Sequence, residues 1–280
     1  VDGGTPLEQR LGPANPAVAP QTIIANIRSA CARGLPQVPT LPAHDKPLII
    51  CGGGPSLKRS AAEIRQRVKK GGKAVAINRA SEFLLSKGVP VWGVVLVDPQ
   101  DVLLEQFAVD GHSAYFVASQ CRPAVFDRLR GQQIFLWHAQ VDEPELSIIK
   151  SYYPEPLIAP SGTTAALRVV DLGYHMGFRT FHFYGLDGSF EVEDGDLVHH
   201  AYAQPEDGAF KVIEIIARDG QGEKRFLTRS DYARQADEFM RIMTIYHRLW
   251  QVGDADRLRV FVHGDGLIPH IWRKRRHELG

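Results

Sequence analysis

Cysteine is scarce and badly spaced for cross-linking. Cys31, Cys51 and Cys121 are the whole complement, and no CxxC or CxxH pair occurs. Three distant thiols build neither a disulfide framework nor a zinc site. Cys51 ends an apolar run and is expected to pack as a small hydrophobe. Charge of one sign is also missing. A net charge of +1 provides no global field to draw nucleic acid or an anionic bilayer. No run approaches the ~20 apolar residues of a membrane-spanning helix, and the N-terminus lacks the basic start and apolar centre of a signal peptide. A soluble chain in a reducing, cytoplasmic setting, with no nucleic-acid partner, is the expectation. One local excess stands out, Arg273-Lys274-Arg275-Arg276. It reads as a solvated tail, with a phosphate or polyanion contact as the alternative.

What is present is an ordinary globular composition, 44% hydrophobic and 23% charged over 280 residues, enough for one large domain. Residues 1–44 read as an irregular arm rich in proline and glycine, with one short helix around Ile23, Ile24 and Ile27. Regular alternation begins at residue 47. Leu48-Ile49-Ile50-Cys51 is a short apolar run of the kind buried on both faces of a parallel sheet. A glycine turn follows, then Leu57, Ala61, Ile64 and Val68 at helical spacing, then the strand Ala74-Val75-Ala76-Ile77.

Further strands are expected at 92–97, 115–117, 134–137 and 181–184, with helices at 79–86, 101–107, 123–129 and 165–176. The pattern predicts an α/β, Rossmann-like, doubly wound and mostly parallel sheet. Residues 187–209 read as a polar segment and 210–229 as a β-hairpin. A long amphipathic helix follows, carrying Tyr232, Ala236, Phe239, Met243, Tyr246 and Trp250 on one face. Arg259 to Val262 forms a final candidate strand. The expected organisation is an arm (1–44), a single domain (45–270) and a basic tail (271–280). Oligomeric state is not legible.

Four strand ends carry residue types suited to ligands. Gly52-Gly53-Gly54-Pro55-Ser56 links a buried strand to a helix. Glycine there permits positive φ and close approach of a ligand, and the helix start offers amides to a phosphate. Leu57 stands where GxxxxGK[ST] and GxGxxG each need another glycine, so neither pattern is met. A tight turn with Ser56 as helix cap is the competing reading. Asn78-Arg79 ends the second strand, placed either to bond a base, ribose or phosphate or to cap the next helix. Asp98 ends the third, suited to Mg²⁺ or a ribose hydroxyl, while Asp101 suits a helix cap. Ser161, Gly162, Thr163 and Thr164 open the helix before 181–184 and make a second candidate anion site. Asp187 follows the sixth strand. His199 is a candidate general base or phosphate ligand in a polar segment, with a solvent-exposed loop histidine as the plainer reading and His200 the less favoured neighbour.

Together these residues resemble the MptE-like family, named for the archaeal 6-hydroxymethylpterin diphosphokinase. That family includes bacterial motility accessory factors and is similar in core to bacterial sialyltransferases. The resemblance rests on Ile49 to Leu57, Asn78-Arg79-Ala80, Val97-Asp98-Pro99-Gln100 and Ser161 to Thr164. It continues through Gly177-Phe178, Tyr184-Gly185-Leu186-Asp187 and His263 to Pro269. It implies a nucleotide-dependent transferase with ATP and Mg²⁺ acting on a pterin hydroxymethyl group. Gly52 to Ser56 and Ser161 to Thr164 would then hold phosphates. Asn78-Arg79 and Pro99-Gln100 stand where the pterin enzymes are expected to carry further acids. This departure points toward the bacterial branch, where a sugar is transferred from a CMP-type donor. Asp98, Asp187 and His199 are the candidate catalytic residues, Asp98 also the candidate metal ligand. A non-catalytic nucleotide-binding or assembly protein is the reading of a different class.

Overall fold

The computed structural model describes residues 18–139, 142–202, 211–219 and 222–276. Residues 1–17 of the expected arm, residues 140 and 141, residues 203–210 of the expected polar segment and hairpin, Gly220 and Gln221 of the expected hairpin turn, and the last four residues of the chain lie outside them. The predicted short helix is α1 (Pro20–Cys31).

Eight strands form one sheet in the order β12-β7-β1-β2-β3-β4-β5-β6. They are β1 (His44–Cys51), β2 (Lys73–Ile77), β3 (Gly93–Leu96), β4 (Ala114–Ala118), β5 (Ile134–Ala139), β6 (Ile158–Ala159), β7 (Phe178–Tyr184) and β12 (Arg259–Val262). Every neighbouring pair is parallel, and helices cover both sides. Burial on both faces explains why β3 and β4 are buried at every residue and why the strands read as apolar runs rather than alternations. The three thiols are free and buried.

The helices that return the chain are α2 (Leu57–Lys69), α3 (Ala80–Ser86), α4 (Pro123–Arg128), α5 (Glu145–Tyr152) and α6 (Ala165–His175), with a 3₁₀ turn at Asp101–Glu105 where a helix is expected. Asp101 makes no cap bond there; it pairs with Arg122 at 2.7 Å. β6 escapes sequence reading because two residues are too few to show a period.

The polar 187–209 stretch contains a small hairpin, β8 (Glu191–Glu193) and β9 (Asp196–Val198). The expected hairpin insertion is β10 (Ile213–Asp219) with β11 (Gly222–Thr228), and the long amphipathic helix is α7 (Ser230–Gln251). The basic run is not a tail. Arg273, Lys274 and Arg275 form the last turn of α8 (Leu267–Arg275), where positive charge complements the helix dipole. Trp272 anchors that helix in the core.

The strand order reverses its direction at β1. From β1 the chain moves outward through β2 to β6, then crosses back to place β7 on the other side of β1. Such a reversal opens a crevice at the carboxyl ends of the two strands. Here those ends are Gly52-Gly53-Gly54 and Gly185-Leu186-Asp187.

Candidate functional site

The two turns are locked to each other. Gly52 N–H donates to the Tyr184 carbonyl and Gly54 N–H to the Gly185 carbonyl, both at 2.8 Å. A Cβ on Gly52 would sit 2.5 Å from the Gly185 oxygen, and one on Gly54 would strike the Asp187 carboxylate. None of Gly52, Gly53 and Gly54 has positive φ, whereas Gly185 does, at 62°. The triple glycine therefore serves close approach of protein to protein, not the left-handed backbone expected of it.

Ser56 likewise makes no side-chain cap. Its N–H donates to Asp187 Oδ2 at 3.0 Å, so the chain supplies its own anion at the start of α2. Asp187 is 3% exposed. Burial pushes its pKa up to about 6, with a smaller push from Glu191 and an opposing pull from the Ser56 amide.

Beside these turns lies a cavity of about 580 Å³, within the range of small-ligand sites. It brings together Gly52, Gly53, Gly54, Asn78, Asp98, Thr163, Thr164, Asp187 and His199 from the sequence-based candidates. Asn78 holds the left-handed backbone itself, at φ 47°, a conformation asparagine tolerates better than most residues. It does not cap α3. Its Oδ1 is buried and has no hydrogen-bond partner among the described residues, and the residue lines the cavity. Asp98 Oδ1 accepts the Gln100 N–H at 2.8 Å. His199 is not an exposed loop residue: it is 4% exposed and packs between Phe190 and Tyr232. The segment around it closes on the glycine turn, since Ala201 N–H donates to the Gly53 carbonyl at 2.8 Å and His200 Nδ1 lies 3.2 Å from that oxygen.

Other candidates stand apart, or line the cavity with their donors already engaged. Pro55 and Ser56 line a neighbouring cavity. Arg79 is exposed, pairs with Glu82 at 3.5 Å and lies over the Tyr202 ring. Ser161 donates its N–H and hydroxyl to Asp171, both at 2.7 Å. Thr163 donates its own pair to Glu238 Oε2 at 3.0 and 2.7 Å. Two buried carboxylates thus hold the donors expected to hold phosphate. Gly162 folds onto Leu167.

Cations that the sequence reading missed line the cavity instead. Arg168, from α6, donates to the Ala159 carbonyl at 2.6 Å. Burial lowers its pKa while Asp171 and Glu238 act against that, and a guanidinium stays charged regardless. Arg234 and Gln235 come from α7, with Tyr232 beside them. Arg168 lies one helical turn beyond Thr164, a spacing that places it near the same helix start. Nothing in the sequence tied α7 to the strand ends. Among the described residues no group of three or more His, Cys, Asp or Glu is placed to hold a metal. Asp98 is a single carboxylate that would rely on a ligand's phosphates to complete a Mg²⁺ shell.

Comparison with known proteins gives the following. The solved MAf glycosyltransferase from Magnetospirillum magneticum AMB-1 matches with a TM-score of 0.58 at 14% identity, over 92% of this chain and 41% of that one. The chain thus spans less than half of that protein, and the likeness is one of fold. A mammalian sialyltransferase in complex with Gal-beta-1-3GalNAc-ortho-nitrophenol matches at TM-score 0.41 and 12% identity, over 88% of this chain and 87% of that one. The sialyltransferase CstII from Campylobacter jejuni, in complex with the substrate analogue cytidine-5'-monophosphate, matches at 0.27 and 16%, over 57% and 67%. Both scores are too low to carry an argument. No curated protein matches. The family model described as 6-hydroxymethylpterin diphosphokinase MptE-like matches residues 21–193, more than half of the chain. The chain belongs to the MptE-like family.

Proposed function

We propose that the chain is a transferase whose donor is a nucleotide seated in the switch-point cavity, and whose leaving group is a nucleoside monophosphate. The observation that carries this is the cavity itself. Arg168, Arg234, Asn78 and Asp187 line one hollow at the carboxyl ends of β1 and β7, and Asn78 Oδ1 has no hydrogen-bond partner among the described residues. Two guanidiniums suit phosphate oxygens, and Asn78 suits a base or ribose donor.

The family membership supports diphosphate transfer from ATP to a pterin hydroxymethyl group, with AMP leaving. The fold shared with a glycosyltransferase supports transfer of a sugar from a CMP-type donor, with CMP leaving. Both reactions part the transferred group from a nucleoside monophosphate, so one cradle serves either. Asp187 is the proposed base and His199 a second candidate acid/base group across the cavity. In the ATP version Asp98 would hold Mg²⁺, which supplies neutralisation of phosphate charge.

Isothermal titration with ATP, CTP, CDP and CMP, with and without Mg²⁺, tests the seat. Chromatographic assay of AMP or CMP release tests the reaction. Pterin-dependent AMP release supports the first version and acceptor-dependent CMP release the second. Binding with no release from any donor would favour a non-catalytic binding protein. Failure to bind every nucleotide sinks the proposal.

A further inference from the structure

Asp187 and Ser189 line not one cavity but two. The second, of about 460 Å³, is walled by the start of α2, by β8 and by the β10–β11 hairpin. Its chemistry differs from that of the first. Phe190, Val192 and Phe226 give it apolar and aromatic surface. Lys224 Nζ lies 5.2 Å from the centre of the Phe226 ring and donates to the Asp265 carbonyl at 3.2 Å.

Glu191 faces this cavity with a divided carboxylate. Oε1 accepts from Arg59 Nη1 at 2.6 Å. Oε2 is buried and has no partner among the described residues. A buried carboxylate oxygen left so costs free energy, which a ligand hydroxyl would recover once the side chain turns Oε2 toward the cavity it lines. Asp187 and Glu191 thus give one cavity two acceptor groups, the first of which also reaches the nucleotide side.

We propose that this second cavity is the acceptor site, taking a small molecule with a nucleophilic hydroxyl on an apolar or aromatic body and presenting that hydroxyl at Asp187. The inference rests on the transferase reading. In the reaction, the Asp187 carboxylate removes the hydroxyl proton. The oxygen then bonds to the phosphorus or anomeric carbon of the donor. The bond from that atom to the leaving phosphate oxygen breaks, and its electron pair departs with the nucleoside monophosphate. Glu191 Oε2 positions the acceptor through a second polar group.

The test uses Val192→Trp, which fills the second cavity from a side chain 58% exposed and so leaves the core untouched. Titration with CMP and ADP should give dissociation constants within about twofold of wild type, and slow hydrolysis of the donor by water should persist. Acceptor-dependent monophosphate release should fall at least tenfold, chiefly through acceptor KM. Unchanged release, or an equal loss of nucleotide affinity, overturns the assignment. A second arm needs no nucleotide. Saturation-transfer NMR on the full chain with 6-hydroxymethylpterin, and separately with a nitrophenyl galactoside whose sugar hydroxyls sit beside an aromatic ring, should show one of the two probes bound and its signal lost in Val192→Trp. The bound probe identifies the source of the hydroxyl. Binding of neither probe, or binding indifferent to the substitution, overturns the acceptor site even if nucleotides bind. Failure of nucleotide binding with probe binding intact overturns only the donor reading.

Discussion

The carboxylate of Asp187 accepts the backbone N–H of Ser56 at 3.0 Å, joining the end of β7 to the start of α2. The place that a phosphate would take at the tip of α2 is thereby filled by an internal anion. On the transferase reading, the donor's phosphates lie instead toward Arg168 and Arg234.

Replacing that anion separates activity from stability. The folded pKa of Asp187 stands at about 6 against 3.8 for an ordinary aspartate. The native protein therefore holds an extra proton between those values, and stability from this group falls as pH rises through the window. Above it the ionised form carries a penalty on the order of 3 kcal/mol, at about 1.4 kcal/mol per pKa unit. Asp187→Asn is expected to raise Tm at pH 7.5 and to leave it nearly unchanged at pH 3.5. Turnover should drop at least ~100-fold, as for loss of a general base. A lower Tm at pH 7.5 would contradict the buried-charge account.

Buried histidines act with the opposite sign. His138 is fully buried with Nδ1 2.9 Å from Ser119 Oγ, and burial pushes its pKa down to about 4. The unfolded chain takes up a proton that the native state refuses, so this stability is complete above pH 6.5 and is lost as pH falls toward 4. His138→Gln should flatten the fall in Tm across that interval, read by thermal melts at half-unit steps.

Asn78 combines a backbone demand with an oxygen that has no hydrogen-bond partner among the described residues. Asn78→Gly keeps φ accessible and removes the side chain, so nucleotide affinity should weaken about fivefold, the worth of roughly one hydrogen bond. Asn78→Ala should add about 1–2 kcal/mol of destabilisation from the left-handed backbone. Urea titration beside calorimetry distinguishes the two effects. Equal nucleotide affinity in all three proteins would remove Asn78 from the site.

Arg234→Gln should weaken nucleotide binding about 10–100-fold through loss of a charge-assisted hydrogen bond. The remaining affinity should depend less steeply on salt, because on the transferase reading one cation beside the donor's phosphates is gone. Titrations at several ionic strengths read both effects.

Gly54→Ala places a methyl group against the Asp187 carboxylate and 2.8 Å from the Gly185 carbonyl oxygen. A cost of about 1–3 kcal/mol is expected from overpacking, measured by urea denaturation. A neutral result would mean that the paired turns yield more readily than their hydrogen bonds imply.

Several of these residues were legible beforehand for a simple reason. A strand buried on both faces must be apolar, and the residues just past it are free to be polar. Gly52, Asn78, Asp98 and Asp187 could therefore be placed at strand ends by counting along β1, β2, β3 and β7. The role of each could not be counted. By residue type Ser161 and Thr163 read as phosphate ligands, yet their donors go to Asp171 and Glu238, 10 and 75 residues away in sequence. His199 looked exposed because its neighbours are polar, yet Phe190 and Tyr232 enclose it.

Local pattern by itself determined the α/β class, the parallel sheet and the turns that face its carboxyl edge, because apolar periodicity and glycine act over a few residues. Only the tertiary structure decided that β7 crosses back beside β1, that α7 brings Arg234 to the strand ends, and that Asp187 divides two cavities. Those relations join residues dozens of positions apart, and they follow from which surfaces pack together.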